Sequence, residues 1–359
     1  MSAPLELQPP SGPVDARVRV PGSKSITNRA LVAAALAEGR SVLTGALVAD
    51  DTLAMRGVLA GLGVTIAAED DGRTLVVDGC AGSPCAAAGR LDGRSAGTVA
   101  RFLPPLLALG SGQYVLDGSA QMRARPLGAG VRALRALGVA VADAGAPGHL
   151  PIRVTGARGR LGTAVTLRAD VSSQYTSGLL LSAPCFAGGL ALTVEGDVVS
   201  RPYLDLTTAV MAAFGAWVTQ NGPRYEVAHG GYRATPYAIE PDASAASYFF
   251  AAAAITGGRA VVPGLGTGTL QGDLAFVRIL ERMGCAVTKD AEATEVRGPR
   301  ELRGVEVDMR DLSDTAQTLA VVAPFATSPT RITGIGFIRR KESDRVGPSR
   351  PSCAAREWR

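Results

Sequence analysis

Polar and apolar positions alternate through Ala16-Arg-Val-Arg-Val20, which reads as a strand ending at Pro21-Gly22. Ala30-Leu-Val-Ala-Ala-Ala-Leu-Ala37 then reads as a helix of small residues. This order recurs along the chain: helix, Gly, strand, a loop with Gly, a second helix, then a bulky residue and Gly before another strand. The strand-plus-Gly element appears as Val42-Leu-Thr-Gly45, Val115-Leu-Asp-Gly118, Thr193-Val-Glu-Gly196, Val261-Val-Pro-Gly264 and Arg331-Ile-Thr-Gly334. Its glycines are 73, 78, 68 and 70 residues apart. The helix-ending element appears as Leu62-Gly63-Val64, Leu137-Gly138-Val139, Phe214-Gly215-Ala216 and Met283-Gly284-Cys285, each 18 to 20 residues after its partner glycine. Gly at a helix C-terminus followed directly by a strand is the expected local chemistry. Two helices and several strands per unit exceed a solenoid repeat. The pattern predicts duplicated βαβαββ units in an α/β architecture.

The fifth unit breaks off. Its bulky-Gly element is due near residues 352–354, where Ser352-Cys353-Ala354 stand instead. Pro348 and Pro351 fall inside the helix due before it, and interior Pro costs about 3 kcal/mol each. Residues 346–359 carry no apolar periodicity and are expected to be a tail foreign to the fold, with truncation or a frameshift as its origin and a natural disordered tail as the alternative.

Composition narrows the class. A chain of 359 residues that is 47% hydrophobic can bury one large core or two, and with only 5% aromatics that core is built from Ala, Val and Leu. The net charge of +5 is spread out, with no block of like charges, which argues against a nucleic-acid partner and suits small anionic ligands. Five cysteines without paired spacing and only two histidines predict no metal, no disulfide framework and a reducing cytoplasm. The amino terminus lacks a signal peptide and no apolar run reaches membrane-spanning length.

Chemistry concentrates between the first strand and helix, in Pro21-Gly-Ser-Lys-Ser-Ile-Thr-Asn-Arg-Ala30. Ser23, Lys24, Ser25, Thr27, Asn28 and Arg29 put two cations and four hydroxyl or amide groups into seven positions. A turn opening a helix offers backbone N–H groups and the positive dipole end, so it favours anions, although it lacks the Walker pattern. On residue types alone it could equally be a solvated helix start. The string P-G-S-K-S-x-T-N-R-A resembles the amino-terminal motif of the EPSP synthase (3-phosphoshikimate 1-carboxyvinyltransferase) family.

The resemblance continues to Arg345. Ser95-Ala-Gly-Thr-Val-Ala-Arg101 is similar to the family's N-A-G-T-x-x-R, where Gly97 lets the backbone approach a ligand and Thr98 can cap a helix. Gln121-Met-Arg-Ala-Arg-Pro126 resembles R-M-x-x-R-P, whose first Arg grips phosphoenolpyruvate; Gln121 stands there, so Arg123 is the substitute expected. Ser172, Ser173 and Gln174 match the S-S-Q-[FY] loop, which can surround a phosphate or ring without added charge, although such a pair alone is usually a turn. Ser200 and Tyr203 match S-x-P-Y, the Ser joining the phosphate site and the Tyr lining the shikimate ring. Asp242, in D-x-S-x-A-x-[FY], is expected only to cap a helix. Asp314 precedes an apolar helix from Leu319 to Ala326 and alone would read as its N-cap. Glu342 lies in Arg339-Arg-Lys-Glu-Ser-Asp-Arg345, which alone would be a solvated helix start but contains the family's K-E-[ST]-D-R.

The resemblance implies transfer of the carboxyvinyl group of phosphoenolpyruvate to the 5-hydroxyl of shikimate 3-phosphate, in aromatic amino acid biosynthesis. It implies that Asp314 deprotonates that hydroxyl and that Glu342 with Lys24 handles protons on phosphoenolpyruvate. Lys24, Ser25, Arg29, Gly97, Arg123, Ser172, Ser173, Gln174, Ser200, Tyr203, Asp314, Lys341 and Arg345 would bind substrate, without metal or cofactor. The implied fold is a two-lobed inside-out α/β barrel: 21–240 as a complete three-unit lobe, and 1–20 plus 241–345 as an incomplete second lobe. The family's D-H-R-x-A-M motif is missing, as His149 and His229 lie outside any such string. A monomer is expected. Two other readings stay open: a fragment that binds shikimate 3-phosphate without turnover, and a transferase acting on UDP-N-acetylglucosamine.

Overall fold

The computed structural model describes residues 8, 11–86, 88–168, 172–196 and 199–347. It divides into two compact units. One comprises Pro21–Glu240 with Phe337–Gly347, and the other the chain up to Val20 with Pro241–Gly336.

In the first unit three four-stranded sheets share one plan. Ala88–Asp92 runs parallel to Gln113–Asp117, which pairs antiparallel with Ile152–Thr155, and that strand pairs antiparallel with Val141–Asp143. Ala164–Arg168, Leu190–Glu195, Arg224–Val227 and Val218–Asn221 repeat the order. In the third sheet the parallel strand comes from the far end of the segment: Pro236–Ala238 lies beside Arg40–Thr44, followed by Thr74–Asp78 and Thr65–Glu69. The second unit has one such sheet, in which Asp15–Arg17 lies beside Arg259–Pro263, and then a parallel pair, Glu306–Asp308 with Arg331–Thr333. The α/β architecture is therefore present, with open sheets and no sheet closed into a barrel among the described residues.

Helices Lys24–Leu36, Gly97–Leu107 and Ser173–Ser182 are buried along almost their whole length, and their small and branched side chains form the centre of the first unit's core. Each fully buried Leu or Val there contributes about 1.5–3 kcal/mol. The helix-ending glycines Gly63, Gly138, Gly215 and Gly284 all have φ between +84° and +109°, the left-handed cap that the bulky-Gly pattern calls for.

Three expectations change. The first helix starts at Lys24, because buried Ser23 caps it: its Oγ accepts the Ile26 N–H at 3.4 Å and its carbonyl the Thr27 N–H at 2.9 Å. The cation and hydroxyl cluster is thus the helix's first two turns. The helix expected at Leu319–Ala326 runs instead from Ala316 to Val322, and Pro324 turns the chain into a short 3-10 segment, Ala323–Phe325. Residues 337–345, expected in the second lobe, group with the first unit, where Glu342 pairs with Arg125. Of the expected tail 346–359, all but Val346 and Gly347 lies outside the described residues. Among the described residues no helix is long and apolar enough to cross a membrane, and no group of His, Cys, Asp or Glu could hold a metal ion.

Candidate active site

Three stretches of the first unit converge on the start of the helix Gly97–Leu107. Arg101, one turn into that helix, donates to the Gly97 carbonyl at 3.1 Å. Arg125 reaches the same point from beyond the short helix Ala120–Arg123: a Cβ on Gly97 would stand 2.8 Å from Arg125 Nη1 and 3.0 Å from Arg101 Nη1. The absent side chain of Gly97 therefore makes room for two guanidiniums. Both arginines are buried, and burial, then the like charge of Arg101, lowers the Arg125 pKa.

Glu342 answers that charge. Its Oε1 accepts from Arg125 Nη1 at 3.2 Å and its Oε2 from Arg345 Nη2 at 2.7 Å. Partial burial raises its pKa, but Arg125, a backbone donor, Arg345 and Lys24 together outweigh that and hold the carboxyl at about 2. The side chain is still 45% exposed, so an ionised carboxylate stays accessible at the cluster's edge. Asp51, in the first turn of the helix Asp50–Gly61, lies 3.8 Å from Lys24 Nζ. Its pKa moves the opposite way: burial raises it, Lys24 opposes, and Glu342 and Asp50 add to the rise. Two nearby carboxyls are thus driven apart in pKa, the arrangement that separates a proton carrier from a proton acceptor.

Around this centre the hydroxyl motif forms a second helix start. Ser172 caps Ser173–Ser182, accepting the Gln174 N–H at 3.2 Å, and Ser173 is buried. The Tyr175 ring lies 5.3 Å from the Arg101 guanidinium, and its hydroxyl donates to the Pro126 carbonyl. Among the described residues, Arg101 Nε, Arg125 Nε and Gln174 Oε1 are buried without a hydrogen-bond partner. Buried polar atoms are nearly always satisfied, so a polar ligand is the natural complement of this set. Helix starts and paired guanidiniums select an anion.

Several expected residues take other places. Arg29 is 1% exposed: Nε donates to Thr207 Oγ1 at 2.8 Å, Nη1 to the Ser25 carbonyl at 3.0 Å, and Nη2 to Ser177 Oγ at 3.3 Å and the Tyr203 carbonyl at 3.2 Å. Phe102 and Tyr203 stack on it, and burial pushes its pKa down to about 10. It braces three helices and has no surface for a ligand. Arg123, the expected substitute cation, is bound by both oxygens of Asp117 at 2.8 and 2.7 Å, and it is Arg125 that lies beside Gly97. Thr98 does not cap its helix; Ala96 holds that position, and the Thr98 hydroxyl accepts from Asn28 at 2.7 Å. Ser200 is buried and takes φ +57°, a strained conformation for a side-chain-bearing residue, just before the helix Pro202–Ala213 that carries Tyr203. Ser25 is half-buried in the first helical turn, and Lys341 lies over the Phe337 ring at 5.8 Å.

In the second unit, Asp314 is half-buried on the turn before Ala316–Val322, whose N-cap is Thr315, so Asp314 is not that helix's cap. Asp242 does cap Ala243–Thr256, accepting the Ala245 N–H at 2.9 Å. Sequence reasoning missed Asp51, Arg101, Arg125 and Tyr175 as a group. Three of them lie in or beside the quoted motifs, but nothing along the chain tells which cation of Arg123 and Arg125 turns inward.

A profile of the EPSP synthase (3-phosphoshikimate 1-carboxyvinyltransferase) family matches residues 9–348. A 3-phosphoshikimate 1-carboxyvinyltransferase of Nostoc punctiforme is 42% identical over 344 residues, covering 95% of this chain and 80% of that protein. One of Methanoculleus marisnigri is 45% identical over 341 residues, covering 94% and 80%. EPSP synthase of Acinetobacter baumannii superposes with a TM-score of 0.79 at 27% identity, covering 96% of this chain and 78% of that one. The enolpyruvyl transferase NikO of Streptomyces tendae, at TM-score 0.72 and 19% identity, shares the fold. With the profile spanning nearly the whole chain, and relatives above 40% identity along most of their own length, the chain belongs to the EPSP synthase family.

Proposed function

We propose that the chain transfers the carboxyvinyl group of phosphoenolpyruvate to the 5-hydroxyl of shikimate 3-phosphate and releases phosphate. The observation that carries this reading is the grouping of Lys24, Arg101, Arg125 and Arg345 around the ionised Glu342 and around Asp51, whose pKa burial raises. Each substrate bears a phosphate and a carboxylate, so their encounter gathers roughly five or six negative charges. Fixed cations offset that repulsion without rearranging during the reaction.

Arg125 and Arg101 hold phosphoenolpyruvate, and Ser172, Ser173, Gln174, Ser200 and Tyr203 hold shikimate 3-phosphate. A proton held within the Lys24–Asp51–Glu342 group is added to the methylene carbon of the enol, and the neighbouring carbon becomes cationic. The 5-oxygen attacks that carbon as Asp314 takes the hydroxyl proton. In the tetrahedral intermediate the carbon–oxygen bond to phosphate breaks, and the conjugate base left by the proton donor removes a proton from the methyl group. The double bond is restored and phosphate leaves.

Phosphate release from the two substrates together tests this reading. Release is expected with shikimate 3-phosphate and not with UDP-N-acetylglucosamine as acceptor. Asp314→Asn and Glu342→Gln should each slow it about 10²–10⁴-fold. Binding of shikimate 3-phosphate without any phosphate release would overturn the transferase reading in favour of a binding-only chain.

A further inference from the structure

We propose that the Tyr175 hydroxyl is a positioning group: it fixes the segment carrying Arg125 and thereby ties the placement of that cation to the Ser172–Gln174 helix start. The inference rests on the reading that Arg125 faces phosphoenolpyruvate.

Tyr175 directly follows Gln174 and is 3% exposed. The Arg101 guanidinium lies over its ring at 5.3 Å, and Gly130 leaves just enough room beside it, because a Cβ there would stand 3.0 Å from Tyr175 Cδ1. A wedged ring can put its hydroxyl in only one place, and that hydroxyl donates to the carbonyl of Pro126. Pro126 follows Arg125 in the chain. One side chain thus touches both the cation that neighbours Arg125 and the backbone next to Arg125. Among the described residues the Arg125 side chain otherwise bonds Glu342 at 3.2 Å and the Met122 sulfur at 3.7 Å, and Arg101 repels it. Without the Pro126 anchor, that repulsion is free to move Arg125 away from Gly97. The stretch is also short, so any shift of the Ser172–Gln174 start on ligand binding is transmitted through a single residue.

The test is Tyr175→Phe in the full 359-residue chain, since Phe keeps the ring wedge and removes only the hydroxyl. Calorimetry should show shikimate 3-phosphate binding unchanged within about twofold, while phosphoenolpyruvate affinity in its presence falls about tenfold, the scale of one hydrogen bond. Turnover at saturating phosphoenolpyruvate should fall much less than that affinity. Equal phosphoenolpyruvate affinity in the two proteins, or an equal loss for both ligands, would overturn the proposal. A second readout needs neither substrate. The Glu342 carboxyl faces Arg125, Arg345, Lys24 and Asp51, and carbon-13 titration of that carboxyl in the free protein reports whether Arg125 has moved. An upward shift in Tyr175→Phe is expected, and an unchanged titration sinks the proposal even if the wild-type chain fails to bind phosphoenolpyruvate. Failure of the wild-type chain alone, with the Glu342 shift present, would count against the transferase reading and leave the positioning role standing.

Discussion

Arg123 and Arg125 are two positions apart and chemically identical, yet one is a surface brace and the other a buried charge. Arg123 extends the helix Ala120–Arg123 and is locked onto Asp117, whose carboxyl that hydrogen bond, with the Gly118 N–H and Arg90, holds below its usual pKa. Arg125 turns under Gly97. Arg125→Ala should therefore weaken phosphoenolpyruvate binding more than tenfold, whereas Arg123→Ala should leave it within about threefold, as measured by KM in phosphate release. Arg29 makes a third case. Its planar fork serves four acceptors on three helices, a geometry that an ammonium cannot reproduce. Arg29→Lys should lower stability by about 1.5–3 kcal/mol in denaturant titration, with the loss appearing in folding before it appears in ligand affinity.

Helix starts organise the site at the next scale. Lys24–Leu36, Gly97–Leu107 and Ser173–Ser182 each begin at a motif singled out from the sequence, and two of the three begin with a serine cap. The cap at Ser23 moves the first helix six residues upstream of its apolar run, which is why Lys24 and Ser25 lie on a rigid element instead of a loop. Ser23→Ala should cost about 1 kcal/mol, read as a lower melting temperature, and should raise the KM for both substrates because the first turn frays. The second unit shows the same logic with a different residue, Asp242, before Ala243–Thr256. Where the caps and glycine stops were legible, the elements followed from sequence. Pro324 was equally visible, but the helix it ends starts earlier and stops sooner than its apolar run suggests, because the turn before Thr315 sets the entry.

For the whole molecule, the repeat organises two units from a small set of parts, and charge sets the pH range in which they hold. Glu342 titrates at about 2 in the folded chain against an ordinary 4.5, and Asp117 is lowered as well. A depressed carboxyl adds stability that is complete above its ordinary value and is lost as the pH falls toward the folded value. Melting temperatures should therefore be flat from neutral pH to about 5 and fall between about 4.5 and 2, with Glu342→Gln showing a shallower fall than wild type. A melting temperature that rises on acidification would contradict this assignment. Residue order by itself determined the α/β class, the 70-residue repeat, the left-handed glycine stops and the family, because these depend on local backbone chemistry and on strings of neighbouring residues. Only the tertiary structure decided that Arg29 is a brace, that Arg125 and not Arg123 turns inward, that the pKa values of Asp51 and Glu342 move in opposite directions, and that residues 337–347 join the first unit. Each of those outcomes depends on burial and on charges brought together from stretches up to 318 residues apart, and no local pattern carries that information.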